Sequence, residues 1–199
     1  MMDVNVTPRR LLVEKNKKKI KELKNSCSKE YLEFKKHIHS KDIAWYFNAA
    51  STDSKHQLGE DYPFYSHTIM ERPNIIFDKP WTKQTSELFN PAYNILKQIL
   101  EDNDIKISVI YRINLNATFP VSTKIKKSVY HTDLEIPHQN LILYMSKFKG
   151  GEFYIKENKQ EVKYTPKEDN IFLFDGELQH SVAPPVGLER RIIMVVNFL

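Results

Sequence analysis

The second half of the chain alternates between apolar and polar positions. From Ile105 to Asn116, Ile107, Val109, Tyr111 and Ile113 fall on one side of an extended chain and Ser108, Ile110, Arg112 and Asn114 on the other. A period of two over such a length predicts a strand. Further short apolar runs predict strands at about 128–134, 139–146, 151–156, 160–165, 170–175, 179–183 and 190–198. Gly150-Gly151 marks a tight turn or bulge between two of them, and Pro184-Pro185 with Gly187 shapes the way into the last. Residues 116–128, with Pro120 and clustered lysines, read as a flexible loop.

The first half has a helical period. Asn90-Pro91 is a helix start, an N-cap followed by proline in the first turn. Ala92, Ile95, Leu96 and Ile99 then form one apolar face to about Asp102. Residues 11–37 read as helical, with Ile20, Leu23, Tyr31, Phe34 and Ile38 as intermittent contacts and a second start at Ser28. Residues 40–82 read as mixed and loop-rich, with the aromatic clusters Trp45-Tyr46-Phe47 and Phe64-Tyr65 as core. Short strands in succession with no helix between them predict a mainly β domain with flanking helices. The matching architecture is a double-stranded β-helix, the jelly roll shared with cupins. The expected organisation is one domain over 1–199: a helical basic segment at 1–40, a mixed support region at 41–104, and the β core at 105–199.

Composition and charge narrow the class. A chain of 199 residues is long enough for one sizeable core. No apolar run is long enough to span a bilayer, and no apolar signal-peptide core follows the basic N-terminus. The single cysteine, Cys27, cannot form an internal disulfide and points to a reducing cytoplasm. Residues 1–24 carry six Lys and two Arg against Asp3, Glu14 and Glu22, which matches the whole net charge of +5. The β core is therefore charge-balanced, which disfavours nucleic acid as its partner. A solvated helix face is the expected meaning of the basic segment.

The chemistry centres on Tyr130-His131-Thr132-Asp133. His131 and Asp133 lie two apart, so on a strand they share a face. A 2-His-1-carboxylate metal grip needs one more histidine, and His180, after the apolar strand and Asp-Gly turn of residues 170–176, supplies it. His-x-Asp alone is a weak signal. The ordered set is stronger: His-x-Asp, an apolar strand with a tyrosine, Gly-Gly, Phe-Asp-Gly, histidine, then arginine on the last strand. Over residues 105–199 this order resembles the C-terminal half of the Fe(II)/2-oxoglutarate-dependent oxygenases, in particular prolyl-hydroxylase-like members and short phage and marine bacterial types.

The resemblance implies Fe(II) held by His131, Asp133 and His180, with 2-oxoglutarate and O2 as cosubstrates and succinate and CO2 as products. It also implies a buried arginine for the distal carboxylate of 2-oxoglutarate, with Tyr144 as a second donor. Arg190 and Arg191 cannot both face the site, because neighbours on a strand point opposite ways. Asn197, six residues beyond Arg191, favours Arg191, and the pair resembles the Arg-x5-Asn ending of short oxygenases of this kind. Arg112 and Asn114 are candidate substrate contacts. His138 is expected at the surface or behind a ligand, and Asp175 or Glu177 as an acceptor for a ligating imidazole. His37, His39, His56 and His67 have no partner at ligand spacing.

The implied function is a hydroxylase acting on a peptidyl residue or small metabolite. Nucleobase dealkylation is disfavoured, because the second arginine of dealkylating relatives is Asn197 here. The competing classes are a non-catalytic cupin-like barrel and a zinc site, the latter disfavoured by the arginine.

Overall fold

The computed structural model describes residues 20–50, 62–73, 81–121, 126–157 and 160–199. Most of the basic N-terminal segment, including residues 11–19 of the expected helix, lies outside them, as does His56. The first part of the chain forms β1 (Ile20–Leu23), α1 (Lys29–Ile38), β2 (Tyr46–Asn48), β3 (Phe64–Glu71), β4 (Lys83–Gln84) and α2 (Phe89–Asp102). Then come β5 (Ile110–Thr118), β6 (Gln139–Tyr144), β7 (Lys149–Gly150), β8 (Phe153–Glu157) and β9 (Gln160–Tyr164). The chain closes with β10 (Ile171–Asp175), β11 (His180–Val182), β12 (Pro185–Val186) and β13 (Arg191–Phe198).

The strands form a double-stranded β-helix. A large antiparallel sheet runs in the order β1-β10-β6-β13-β5-β3-β2, with β4 beside β3. Facing it is a three-stranded sheet, β11-β8-β9, and β12 pairs with β7 at one end. Central β13 is buried at every residue, which explains why both of its faces are apolar in sequence. Ile192, Met194, Val196 and Phe198 join the core beneath α1 and α2. Ile193 and Val195 join the cluster between the sheets with Ile142, Tyr144, Phe153 and Phe174. The helices are therefore an outer layer, and the inner face of the large sheet is left for a site.

Both helices bury one stripe. Ser28 caps α1, its Oγ accepting from Tyr31 N–H at 3.2 Å, and Tyr31, Phe34 and Ile38 are buried. In α2 the buried residues are Ala92, Ile95, Leu96, Ile99 and Leu100. This helix starts before the expected Asn90 cap, with Ser86 Oγ accepting from Leu88 N–H at 3.1 Å.

Several expectations change. Tyr46 and Phe47, read as core, are exposed on the edge strand β2. The helix expected across Ile20–Leu23 is a strand there, paired residue by residue with Phe174–Ile171 of β10. Two apolar side chains in that stretch are too few for a helical stripe but suffice for an edge strand with Ile20 and Leu23 buried. The strand expected from Ile105 begins at Ile110, and the register with β13 shifts between Asn197 and Phe198, skipping Tyr111. This bulge puts Ile110 on the helix side with Ile113 and leaves Arg112 facing the inner side. Residues 128–134 contain only an isolated bridge, His131 to His180.

Candidate metal centre

That bridge assembles the site. His131 N–H donates to His180 O at 3.0 Å, and His180 N–H donates back to His131 O at 2.9 Å. Directly paired residues of an antiparallel bridge carry their side chains to the same face, and the two imidazole rings lie 4.5 Å apart between centroids. Asp133 follows two residues on, and one ligand atom from each of the three residues falls within 4.8 Å of the others.

Each imidazole is oriented by its own backbone. His131 Nδ1 pairs with Val129 O at 3.0 Å and His180 Nδ1 with Leu178 O at 3.2 Å. A carbonyl accepts only, so Nδ1 carries the proton in both rings and the Nε2 lone pair is left to bind a metal. Three residues from different parts of the chain hold Asp133. Arg72, just past β3, donates from Nη1 to its carbonyl at 2.9 Å. Asn197 donates from Nδ2 to Oδ2 at 3.1 Å, and Arg112 Nη1 stands 4.0 Å from Oδ1.

The charge states suit a divalent cation. Burial alone would raise the Asp133 carboxyl, but His180, Arg112, His131 and the Asn197 amide outweigh it and hold it down at about 2. Burial disfavours the His180 imidazolium more than Asp133 supports it, so that ring is pushed down to about 4. At neutral pH the trio offers neutral His180 and an ionised carboxylate. Two imidazoles and one carboxylate are a donor set that would suit a divalent cation such as ferrous iron.

A cavity of about 100 Å³ opens beside these residues, lined also by Tyr62, Arg112, Thr118 and Arg191. Arg191 is 2 % exposed. Its Nη1 donates to Ala183 O at 2.9 Å and Gly151 O at 3.3 Å, and Nη2 to Thr118 Oγ1 at 3.3 Å. Nε is buried with no partner among the described residues. Gly151 allows the approach: its φ is +69°, and a Cβ there would stand 3.1 Å from Arg191 Nη1. Arg190 faces the other way, its guanidinium 5.8 Å from the Trp45 ring and 5.9 Å from Phe119.

Tyr144 is buried opposite Ile193 of β13. Burial raises its hydroxyl pKa while the nearby Arg191 charge draws it down. It does not line the cavity. Tyr62 does, its hydroxyl donating to Val182 O at 3.0 Å. His138 is not at the surface: it is 2 % exposed beneath the β10–β11 turn, with Nδ1 bonded to Ile136 O at 2.7 Å. Asp175 receives the Glu177 N–H at 3.0 Å, so the turn uses this carboxylate and His180 is oriented by the Leu178 carbonyl. Asn114 is fully buried and bonded to Asn116.

Solved structures share this architecture. An oxidoreductase of the 2OG-Fe(II) oxygenase family from Burkholderia pseudomallei superposes with a TM-score of 0.70 at 14% identity, over 90% of this chain and 84% of that one. The fold is that of the 2OG-Fe(II) oxygenases. A Trichoplax adhaerens prolyl hydroxylase, in complex with a peptide fragment of the hypoxia inducible factor oxygen degradation domain, gives 0.59 at 14% identity over 90% and 83%. The non-heme alpha ketoglutarate dependent epimerase SnoN of nogalamycin biosynthesis gives 0.60 at 6% identity over 91% and 78%. No family model and no curated protein matches the sequence. Among the described residues, no helix is long and apolar enough to cross a membrane.

Sequence reasoning missed Arg72, Tyr62 and Asn140. Arg72 and Tyr62 belong to the stretch read as loop-rich, where no periodicity ties a side chain to a face. Asn140 carried a signal: it is a polar residue opening an apolar strand.

Proposed function

We propose that the chain is an Fe(II)- and 2-oxoglutarate-dependent dioxygenase that hydroxylates a peptidyl residue or a small metabolite. The observation that carries this reading is the pairing of two features in one cavity: the His131, Asp133 and His180 cluster, and a buried arginine whose described partners are all neutral oxygens. A metal site alone suits zinc as well as iron, but a plain zinc hydrolase has no use for a buried cation on the last strand. A buried guanidinium calls for an anion, and its planar fork binds a carboxylate through two bonds.

In this reading His131, Asp133 and His180 hold the iron. Arg191 pairs with the distal carboxylate of 2-oxoglutarate; Tyr144, the second donor of this reading, lies buried near Arg191 behind the cavity wall and reaches the carboxylate only if that wall gives way. Bound iron, with 2-oxoglutarate and O2, supplies the oxidising power to hydroxylate a C–H bond, releasing succinate and CO2. The protein contributes orientation of the imidazoles, neutralisation of the cosubstrate and a cavity walled by Ile142, Phe153 and Val195 that limits water. Arg112 lines the side of the cavity near Asp133 and is the proposed substrate contact, Asn114 being engaged with Asn116. The peptide bound to the Trichoplax enzyme favours a peptidyl substrate. The single cysteine favours the cytoplasm.

The test is reconstitution with Fe(II) without oxygen, followed by addition of 2-oxoglutarate and O2. Succinate should form slowly without any other substrate and only when both iron and oxygen are present. Iron-loaded protein that neither turns over nor binds 2-oxoglutarate would identify a non-catalytic cupin-like barrel.

A further inference from the structure

Two facing asparagines stand among the apolar inner residues of β6 and β13. Asn140 on β6 and Asn197 on β13 are fully buried and lie directly opposite each other in the antiparallel register. Asn197 Nδ2 donates both to Asp133 Oδ2, at 3.1 Å, and to Asn140 Oδ1. The other half of each amide, Asn140 Nδ2 and Asn197 Oδ1, is buried with no hydrogen-bond partner among the described residues.

Half-satisfied buried amides destabilise a sheet, and two leucines at these positions would continue the core around them. Fold stability therefore does not account for the pair. The carboxylate does. An ionised Asp133 accepts only, so the Asn197 amide must turn its NH2 group toward it. Asn140 must then present its oxygen to the same NH2 group. The direction of the whole chain, Asp133 to Asn197 to Asn140, is set by the charge at its inner end.

We propose that Asn197, backed by Asn140, is a positioning residue that ties down Asp133 Oδ2 so that Oδ1 alone is presented to a divalent metal. The inference rests on the metal site proposed above. It extends that site to residues that touch neither metal nor substrate, where partners of ligating groups tune affinity about 10- to 100-fold.

Co(II) serves as the probe, because it occupies such sites and its visible absorption reports coordination number. The full chain is titrated with Co(II) as wild type, Asn197→Leu and the double variant Asn140→Leu/Asn197→Leu, and the metal-free proteins are melted in parallel. Both variants should bind Co(II) about 10- to 100-fold more weakly. Their spectra should change as Asp133 becomes able to chelate through both oxygens. The metal-free double variant should melt above metal-free Asn197→Leu, since the Asn140 amide that the single change strands is gone. Wild-type affinity in the double variant overturns the inference, and so does weaker binding with an unchanged spectrum, which marks a purely structural role. A wild-type protein that takes up no Co(II) overturns the metal site and this inference together.

Discussion

Arg191 shows how a single residue is fixed by its surroundings. It is buried in a cavity wall, yet carbonyl and hydroxyl oxygens are its only described partners, so the positive charge is solvated but not neutralised. Losing one member of a buried, hydrogen-bonded charge pair costs about 2–5 kcal/mol. Arg191→Ala should therefore weaken 2-oxoglutarate binding by roughly 30-fold or more, as measured by calorimetry on iron-loaded protein. Arg190→Ala, on the Trp45 and Phe119 side, should be mild, and the opposite ranking would assign the cosubstrate to the wrong arginine. A second residue-scale expectation concerns acid. Burial holds His180 at about 4, below its ordinary 6.5, so the unfolded chain binds this proton more tightly than the fold does. The metal-free protein should keep full stability above about pH 6.5 and lose it as pH falls through 4. Urea midpoints across that window should fall less for His180→Gln, and parallel curves would place the acid sensitivity elsewhere. His131, Asp133 and His180 were legible in sequence because an i, i+2 pair and a histidine after an Asp-Gly turn are local patterns. The grip of Arg72 on the Asp133 carbonyl was not, since contacts across 61 residues leave no mark in periodicity.

At the scale of elements, the longer strands from β6 onward fall where short apolar runs placed them, while β7 and β12 lie in stretches that read as a turn and a connection. The other departures have local causes. The bulge at Tyr111 inverts the facing expected for Ile110, and residues 128–134 bend around the site with one bridge in place of a ladder. β2 and β3 extend the sheet from a stretch that read as loop, because its strands are two-sided and mixed in polarity. β1 is the larger change. Ile20–Leu23 covers the outer edge of β10, and an uncovered edge is both destabilising and prone to association. Removing residues 1–24 should lower the melting temperature and promote self-association, read by light scattering. Unchanged melting and a monodisperse product would mean β10 needs no cover. The β10–β11 turn makes a sharper case. A Cβ at Gly176 would fall 2.2 Å from His138 Nε2, and His138 is buried with its Nδ1 held by Ile136 O. Gly176→Ala should cost about 1–3 kcal/mol, the usual range for overpacking, or about 2–4 °C of melting temperature for each kcal/mol in a domain of this size. A melting temperature equal to wild type would show that His138 can move aside.

At the scale of the whole molecule, the site joins the two faces of the barrel. His180 belongs to the small sheet and His131 is bridged to it, whereas Asp133 is tied through Asn197 to the centre of the large one. A metal held by all three would therefore cross-link the two sheets and stabilise the native barrel against a chain in which the ligands are scattered. Binding to the folded state alone contributes about 2.7 kcal/mol at a free metal concentration a hundred times the dissociation constant. With about 2–4 °C per kcal/mol, the melting temperature should rise by roughly 5–11 °C. The measurement is a thermal melt under anaerobic conditions with and without Fe(II), on wild type and on His131→Ala/His180→Ala. The double variant should show no shift, because Asp133 alone is an ordinary weak carboxylate site. Adding 2-oxoglutarate should raise the wild type further only when iron is present, and Arg191→Ala should keep the iron shift but lose this increment. A shift of equal size in the double histidine variant would place the metal elsewhere on the molecule. An increment from 2-oxoglutarate without iron would mean that Arg191 binds the cosubstrate independently of the metal, and the two ends of the cavity would then be separate sites.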